Sequence, residues 1–595
     1  MVRYSVKLRQ NANIVFKVGR TTCPKQIRRF NKRLEGEFME RRMKLGDYLV
    51  AYLKKIGVSH LFGIPGDLVI NLFLKFGRRK GLKIITLSHE PGVGFAADGY
   101  ARSTGRIGTI CVTYGAGGHN MVNPVAASFS ERVPILVISG GPGEEERKLG
   151  VLIHHQAKEI ESQFHIYREV TCAAKIINDP ARAAIDIDEV IRSIWLNQQP
   201  GYLEIHRDMV EQMIPVPKHI VAWNGDLPYP QSDRRKLNEA VRETAERFNR
   251  ARNPLVLVGI EAYRFKLAKE IVRLVEKMGI ACCTSVLAKG AFPMNHPLYM
   301  GVYAGAVSPS GIRNRVEQAD LIISLGMFLT DIELGGSQPP DALRHRSIWA
   351  VENRVNVSFH TYTDVTLRDF VRGLMRAELK PHREKVVYSD NLAKAPADLG
   401  RPVRVADVLR EINYFLAQHK KFLVVAESGD SLFGGIDIKV GDDGLYMAQG
   451  FYASMGFAVP GALGAQIGTG LRPLVLSGDG GFQMTGVEIT HAPRHKLNPI
   501  VVLLNNGGWG IFRPIAKRHD LLTLPPWRYA ELARLWGGRG FQAHTVQQLR
   551  RALDEAAKSS AFAIIEVLIG SRDLSPVTIK YIRASAKKAQ IKSQA

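Results

Sequence analysis

Hydrophobic residues form short apolar runs that alternate with segments of helical periodicity. The segment MKLGDYLVAYLKKIG, which begins at Met43, carries leucine and tyrosine at the three- and four-residue spacing of an amphipathic helix. Strand-like runs follow, with helical segments between them, at 60–63, 83–87, 108–114 and 134–139. Strands that alternate with helices are typical of a parallel sheet covered on both faces.

This alternation recurs twice more along the chain. A second stretch follows the proline-rich piece 214–232 and contains NPLVLVG and LIISLG, and a third contains FLVVAES, PLVLSGDG, NPIVVLLNNGG and AIIEVLI. We therefore predict an α/β fold with three doubly wound parallel-sheet domains. The predicted boundaries are a basic extension at 1–42, a first domain at 43–215, a middle domain at 232–375, a linker at 376–403, a third domain at 404–575 and a C-terminal tail at 576–595.

Composition excludes several classes of protein. The 595 residues are 45% hydrophobic and 23% charged, which is typical of a globular chain and not of a disordered or collagenous one. No apolar run reaches the roughly 18 residues of a membrane-spanning helix. The five cysteines are odd in number and lack metal-ligand spacing, which favours a reducing cytoplasm over a disulfide framework or a structural zinc site.

The net charge of +25 is concentrated at the start of the chain. Residues 1–42 hold twelve lysines and arginines against three glutamates, and so supply +9 of the total. This segment has no apolar core of a secretory signal. A basic arm, a weak organellar presequence and an artefact of an upstream start codon all remain open for it. A basic surface attracts nucleic acid or anionic metabolites, and the sequence does not favour nucleic acid.

The strongest chemical signal lies in the third domain. The segment SGDGGFQMTG follows an apolar strand, and 24 residues separate Gly480 from the pair Asn505–Asn506 at the end of the next strand. Both segments would lie at the carboxyl ends of parallel strands, where ligands bind. Asp479 and Asn506 supply oxygens suited to Mg²⁺, and glycines let the backbone approach a phosphate at a helix N-terminus. Either segment alone is equally well a tight turn; together they predict a magnesium–diphosphate site.

This spacing resembles the binding motif of the thiamine diphosphate enzymes, and the resemblance extends over about 43–582. It implies a pyrimidine-binding, a middle and a diphosphate-binding domain, with thiamine diphosphate and Mg²⁺ as cofactors. The ion would be held by Asp479, Asn506 and the Gly508 carbonyl. Glu90 in TLSHEPGVGFAADGYAR matches the family's cofactor-activating glutamate, although alone it would be a helix N-terminal charge.

Further positions match the family's cofactor contacts. Met455 in FYASMGFAVPG corresponds to the bulky residue over which the cofactor bends, with ordinary core packing as the alternative. Ser428 and Asp430 in AESGDS match positions near the diphosphate and the aminopyrimidine. The remaining expected cofactor contacts are Gly480, Gly481, Asn506 and Glu90.

Two motifs indicate the branch of the family. Asp67 lies in FGIPGD and the pair His154–His155 lies in VLIHHQ. An aspartate with adjacent histidines resembles the 2-oxo acid decarboxylases, where these groups act as proton relays. Histidine is the natural proton donor near neutral pH. Acetolactate-synthase-like members typically lack the pair. The resemblance is closest to phenylpyruvate and indolepyruvate decarboxylases.

One position departs from the pyruvate decarboxylases. They carry an acidic residue six positions after the second asparagine, and this chain has Phe512 there. An apolar wall predicts a large aromatic or branched substrate, and Trp509 lines the same pocket or packs beneath it. In the middle domain, Thr330 and Asp331 follow a strand, where a cap of the next turn is favoured over a regulatory contact. No dinucleotide fingerprint for FAD or NAD is present there.

The resemblance implies that the protein is an enzyme. Glu90, Asp67, His154 and His155 are the predicted catalytic residues of a non-oxidative decarboxylase that converts phenylpyruvate or indole-3-pyruvate to an aldehyde and CO₂. The alternatives are an acetolactate-synthase-like carboligase, a basic binding protein acting through 1–42, and an inactive regulator on this fold. In this family each site is shared between subunits, which implies a homodimer or a homotetramer and a small-molecule substrate.

Overall fold

The computed structural model describes residues 41–78, 81–386, 398–441, 445–516 and 518–594. The predicted basic extension lies outside these residues except for Arg41 and Arg42. Those two residues belong to a short strand, Arg41–Lys44, which pairs antiparallel with Met213–Val216. They are therefore part of the folded first domain. Part of the predicted linker, 387–397, also lies outside the described residues.

The first sheet is six-stranded and entirely parallel. Its strands lie in the order Lys83–Thr86, His60–Gly63, Gly108–Val112, Ile135–Gly141, Gly201–His206 and Ala173–Ile177. The helices of this part of the chain are Leu45–Lys55, Ile70–Gly77, Glu90–Thr104, Ala116–Asn120, Val122–Ser130, Glu144–Lys148, Ser162–Glu169, Ala183–Asn197 and Lys218–Ala222, with a 3₁₀ turn at Arg207–Glu211. The central strands are buried along their whole length, as a sheet covered on both faces requires.

The middle sheet has seven strands and differs from the prediction at one edge. Its strands lie in the order Tyr299–Val302, Cys282–Thr284, Pro254–Val258, Leu321–Leu325, Ser347–Val351, Arg354–Val357 and His360–Thr363. The last three are antiparallel neighbours, because the connections between them are too short for a parallel crossover. The helices are Arg234–Arg250, Ile260–Arg264, Ala268–Met278, Ser310–Glu317, Asp341–His345 and Leu367–Arg376, with a 3₁₀ turn at Gly305–Val307.

The third sheet is again parallel and six-stranded. Its strands lie in the order Leu445–Ala448, Phe422–Ala426, Arg472–Gly478, Ile500–Asn505, Ala563–Leu568 and Arg539–Ala543. The helices are Val405–Gln418, Asp430–Gly435, Ala458–Thr469, Asp479–Thr485, Ala492–His495, Tyr529–Leu535, Val546–Lys558 and Pro576–Gln594, with 3₁₀ turns at Gly486–His491, Gly510–Phe512 and Asp520–Leu522. Three α/β sheets confirm the predicted fold class.

The first and third sheets pack together through two small-residue helices, Glu90–Thr104 and Ala458–Thr469. A Cβ atom on Gly464 would lie 1.8 Å from the carbonyl oxygen of Ala96. A Cβ atom on Gly99 would lie 2.1 Å from the carbonyl oxygen of Gly461. Only glycine permits this approach, which places the N-terminus of the Glu90 helix beside the third sheet.

The end of the chain is not a free tail in the structure. Residues 576–594 form a helix whose first turn is buried, with Val577 6% exposed and Thr578 fully buried. Ser575 N–H donates to the Asp430 carboxylate at 3.0 Å, which ties this helix to the third domain. Within the described part of the chain, no helix combines the length and the hydrophobicity needed to cross a membrane.

Candidate active site

The GDG segment forms a turn between a buried strand and a helix. Asp479 is the first residue of the helix, and its carboxylate accepts the backbone N–H groups of Gly480 and Gly508, each at 2.9 Å. The side-chain oxygen of Asn506 accepts the same Gly508 N–H at 3.2 Å. The Asp479 carboxylate and the Asn506 amide oxygen therefore converge at one point, as the sequence predicted.

This oxygen cluster fits Mg²⁺. A carboxylate and an amide oxygen are hard ligands, and Mg²⁺ binds through few protein oxygens and completes its shell with phosphate and water. The Gly508 carbonyl, the third predicted ligand, accepts the Gly510 N–H at 2.9 Å and keeps a second lone pair. Burial raises the pKa of Asp479 to about 6, although the N–H groups of Gly480 and Gly508 work to lower it. A bound Mg²⁺ ion would favour the charged form of the Asp479 carboxyl group.

Trp509 covers the turn. A Cβ atom on Gly480 would lie 2.3 Å from a ring carbon of Trp509, so the indole packs directly on the glycine. This is the packing alternative that the sequence left open for Trp509. Close packing at Gly480 also explains why this position carries no side chain.

A buried carboxylate that the sequence analysis missed lies beneath the turn. Glu427 is 2% exposed and accepts the backbone N–H groups of Gly456 at 3.2 Å and Ala458 at 3.0 Å. A Cβ on Gly481 would lie 2.6 Å from the Glu427 side chain. Burial raises the pKa of Glu427 to about 7 against the opposing effect of the backbone N–H groups. Glu427 thus joins the GDG turn to the loop that carries Met455.

The other predicted cofactor contacts of the third domain differ in their exposure and in their hydrogen-bond partners. Met455 is 37% exposed and so remains available to a ligand. The Ser428 hydroxyl donates to the Ser454 carbonyl at 3.1 Å and braces the same loop. The Asp430 carboxylate accepts the Ser575 N–H, so this side chain has a partner within the chain, and its contact with the cofactor stays a prediction.

Glu90 is the first residue of the helix that follows Lys83–Thr86, an edge strand of the first sheet. Asn120 Nδ2 donates to its carboxylate at 3.2 Å. Glu488, fully buried and contributed by the third domain, accepts the backbone N–H groups of Ser88 at 2.9 Å and His89 at 3.0 Å. The segment that carries Glu90 is therefore held from both domains.

Asp67, His154 and His155 meet at the end of the first sheet. His154 Nε2 is hydrogen-bonded to Asp67, and His155 Nε2 lies 3.8 Å from the other carboxylate oxygen. Thr113 donates to the Asp67 carboxylate at 3.3 Å. Partial burial works to raise the pKa of Asp67, but hydrogen bonds from His154 and from backbone N–H groups outweigh it and lower the pKa below its ordinary value. All three side chains are exposed to solvent.

The predicted catalytic residues thus lie in the first domain, and the predicted magnesium ligands lie in the third domain. In the described part of the chain, no hydrogen bond or ion pair joins Glu90 or the Asp67–His154–His155 group to Asp479 or Asn506. Phe512, at the end of a 3₁₀ turn and six positions after Asn506, is 47% exposed and presents an apolar side chain.

The predicted middle-domain residues serve the fold. Thr330 is 8% exposed and its hydroxyl accepts the Glu333 N–H at 3.1 Å, so Thr330 has the capping role that the sequence favoured for Asp331. Asp331 is exposed. Glu333, which the sequence analysis did not single out, is fully buried and accepts the N–H groups of Val286 and Leu287 at 2.8 and 3.0 Å. Burial raises the pKa of Glu333 to about 7.

Four polar residues at the site were missed from sequence: Asn120, Glu131, Glu427 and Glu488. Glu131 is fully buried, pairs with Arg102 at 2.7 Å and accepts the N–H groups of Phe451 and Tyr452 near Met455. The available signal was a glutamate next to an apolar or small-residue run, as in VVAESGD. Its partners are distant in sequence, so the spacing itself carries no information about them.

Comparison with known proteins agrees with this site. Sequence models of the thiamine pyrophosphate enzymes match the chain at residues 43–166 (N-terminal TPP binding domain), 241–377 (central domain) and 429–567 (C-terminal TPP binding domain). Thiamine pyrophosphate is another name for thiamine diphosphate.

Curated relatives match over nearly their full length. An indole-3-pyruvate decarboxylase of Azospirillum brasilense is 35% identical, over 92% of this chain and 99% of the relative. A probable pyruvate decarboxylase, Pdc101, of Schizosaccharomyces pombe is 29% identical, over 92% and 97%. Pyruvate decarboxylase isozyme 3 of Saccharomyces cerevisiae is 27% identical, over 91% and 98%. The chain belongs to the thiamine pyrophosphate enzymes, among the 2-oxo acid decarboxylases that use thiamine diphosphate and Mg²⁺.

Proposed function

We propose that the protein decarboxylates an aromatic 2-oxo acid, phenylpyruvate or indole-3-pyruvate, without oxidation, to CO₂ and the aldehyde one carbon shorter. The observation that carries the choice of substrate is Phe512. It is apolar and 47% exposed, and it stands six positions after Asn506, where pyruvate decarboxylases carry an acidic residue. The indole-3-pyruvate decarboxylase of A. brasilense supports the same substrate class.

The residues of the third domain would hold the cofactor. Asp479, Asn506 and the Gly508 carbonyl would bind Mg²⁺, and the backbone at Gly480 and Gly481 would approach the diphosphate at a helix N-terminus. When bound, thiamine diphosphate supplies the electron sink that decarboxylation of a 2-oxo acid requires and that no side chain provides. Met455, held by the loop on Glu427, would support the cofactor's bent conformation.

The residues of the first domain would handle protons. The Glu90 carboxylate would hydrogen-bond the aminopyrimidine ring and promote removal of the reactive proton, with Asn120 setting its orientation. Asp67, His154 and His155 would receive the substrate carboxylate and deliver the proton that product formation needs. The contact between His154 and Asp67 supports this role, because a carboxylate that pairs with an imidazole fixes the orientation of the ring.

We propose further that a working site is built from two chains. Glu90 and Asp479 have no direct link within one chain, and an apolar surface lies exposed near Met455. We call the following residues the apolar face: Phe451, Tyr452, Met455, Met484 and Val487, which are between 37% and 46% exposed. Contiguous exposed apolar residues mark interaction surfaces. A homodimer would cover this face with the first domain of the partner, and a tetramer would pair two such dimers.

The substrate proposal is tested by replacing Phe512. We expect Phe512→Glu to lower kcat/KM for phenylpyruvate and indolepyruvate at least tenfold while lowering that for pyruvate less, because the charge replaces an apolar contact worth about 1–3 kcal/mol. Phe512→Leu is the matched control and should keep the ranking of substrates. An unchanged ranking in Phe512→Glu would contradict the assigned role of Phe512.

A further inference from the structure

The Asp67–His154–His155 group has a capacity for metal binding that the proposed function does not use. Among the described residues, it is the only group of three or more histidine, cysteine, aspartate or glutamate side chains whose ligand atoms all lie close together, within 4.8 Å of one another. The two imidazole rings have centroids 4.8 Å apart and are tilted by 57°. These distances describe a compact set of two ring nitrogens and one carboxylate.

This donor set differs from that of the magnesium site. Two imidazoles and one carboxylate prefer borderline transition ions such as Zn²⁺ and Co²⁺, whereas Mg²⁺ prefers oxygens only. With metal–ligand distances of about 2.0–2.2 Å, ligand atoms around one Zn²⁺ ion lie about 3–3.5 Å apart. His155 Nε2 is 3.8 Å from Asp67 Oδ1, so small side-chain rotations bring the three groups onto one ion.

The backbone at His155 is held by close packing, while the three side chains of the group are exposed. His155 has a left-handed backbone, with φ of 67°, and packs on Gly115, where a Cβ atom would lie 2.0 Å from the His155 carbonyl oxygen. The Gly115 N–H is fixed by Gln163 Oε1 at 2.7 Å. The side chains of Asp67, His154 and His155 are 47%, 55% and 37% exposed. A fixed backbone with exposed ligand atoms favours metal capture.

We propose that Asp67, His154 and His155 form a second metal site that takes a transition divalent ion such as Zn²⁺ or Co²⁺ and is distinct from the magnesium site. Three protein ligands leave positions open, as in catalytic zinc sites, and a 2-oxo acid has two oxygens that can fill them. A site that admits a 2-oxo acid also admits a hydrated ion.

Occupancy of this site would inhibit the enzyme, an expectation that rests on the proposed function. A metal ion takes the imidazole nitrogens as ligands, so the same nitrogens are no longer available to deliver a proton to the product. The two roles of the group, proton transfer and metal binding, exclude each other.

The test is a Co²⁺ titration of untagged holoenzyme that holds thiamine diphosphate and excess Mg²⁺, followed by visible absorption. We expect one further Co²⁺ per chain with the strong absorption of a nitrogen-ligated ion of low coordination number, lost on addition of Zn²⁺. His155→Ala and Asp67→Asn should each weaken binding at least about tenfold. His165→Ala, which removes an exposed histidine outside the group, should bind as the parent protein does.

The outcomes separate this proposal from the proposed function. Decarboxylation without Co²⁺ absorption, or absorption that survives in both His155→Ala and Asp67→Asn, would overturn the metal site. Co²⁺ bound as expected by a protein that decarboxylates no 2-oxo acid would leave the metal site standing and contradict the proposed function. Each variant is first checked for an unchanged circular dichroism spectrum and unchanged cofactor binding, which identifies misfolding.

Discussion

The carboxylate of Glu488 accepts the backbone N–H of His89 at 3.0 Å, which ties the third domain to the residue that precedes Glu90. The same carboxylate accepts the Ser88 N–H at 2.9 Å. Burial raises the pKa of Glu488, and the nearby charge of Glu90 adds to this, while the two N–H groups oppose it. The position of the proposed activating carboxylate therefore depends on a residue some 400 positions later in the chain.

Removal of this contact should disturb both stability and activity. We expect Glu488→Ala to lower the free energy of unfolding by about 2–3 kcal/mol, because two backbone N–H groups lose the acceptor that the buried Glu488 provides. It should also lower kcat more than it changes KM, because Glu90 moves. Chemical denaturation and steady-state kinetics measure both. Glu145→Ala, at an exposed position, is the control and should change neither; equal effects of the two variants would contradict the assignment.

Glu427 should act on cofactor binding through the Met455 loop. We expect Glu427→Gln to weaken thiamine diphosphate binding about tenfold, the equivalent of one hydrogen bond to a charged group. Hydrogen exchange of the segment 453–458 in the cofactor-free protein should become faster. Calorimetry and mass spectrometry measure the two effects. An affinity and an exchange rate equal to those of the exposed control Glu159→Gln would show that Glu427 does not position this loop.

Magnesium binding should depend on pH through Asp479. Burial raises the pKa of its carboxyl to about 6, and only the charged form binds Mg²⁺. The apparent affinity for Mg²⁺ should therefore fall about tenfold for each pH unit below 6. Because the pKa in the folded state lies above its ordinary value, ionisation lowers the stability of the metal-free protein as the pH rises, and Mg²⁺ offsets this loss.

Titration calorimetry between about pH 7 and pH 5 measures this dependence. Asp479→Asn should bind Mg²⁺ weakly at every pH in that range. An affinity of the parent protein that does not change over the range would contradict the role of Asp479.

The packing of the two central helices should not tolerate a methyl group. A Cβ on Gly464 would lie 1.8 Å from the Ala96 carbonyl oxygen, so Gly464→Ala forces the helices apart. We expect a loss of about 2–3 kcal/mol in the free energy of unfolding. Gly311→Ala is the matched control, since nothing lies within 4 Å of a Cβ there and the residue is helical; it should be neutral or slightly stabilising. Equal losses would contradict the packing argument.

A site shared between chains predicts complementation between two inactive variants. Glu90→Gln inactivates the half of a site that the first domain contributes, and Asp479→Asn inactivates the half that the third domain contributes. In a mixed dimer one site holds both lesions and the other holds none. A random mixture should therefore regain about a quarter of the parent activity, because half of the dimers are mixed. Activity that stays at the level of the separate variants would place both halves of each site in one chain.

Local pattern was enough to predict the three α/β sheets and the grouping of Asp479 with Asn506, because both depend on strand ends whose order a parallel sheet fixes. The grouping of Asp67 with the two histidines came from the family resemblance alone. The antiparallel hairpin at 354–363 was missed because its short turn lies inside a stretch with the composition of the neighbouring strands. The sequence predicts a tail at 576–595, whereas the structure has a helix there. The buried first turn of this helix, at Val577 and Thr578, is too short to give a recognisable apolar pattern.

The residues that position the site could not be predicted in this way. Glu427, Glu488 and Glu131 are buried carboxylates whose partners are backbone N–H groups in distant segments. Backbone donors carry no sequence signature, so only the folded chain identifies the pairs. The contact between the Asp430 carboxylate and the Ser575 N–H likewise joins two segments 145 residues apart, and the sequence motif gave no sign of it.

The most direct measurement is a product assay on the purified protein with thiamine diphosphate and Mg²⁺, in which phenylpyruvate, indolepyruvate, 2-oxoisocaproate and pyruvate are offered separately. We predict CO₂ and the aldehyde from an aromatic substrate at a higher kcat/KM than from pyruvate, and loss of both products in Glu90→Gln. Acetolactate from pyruvate, or no turnover of any of the four acids, would contradict the proposed function.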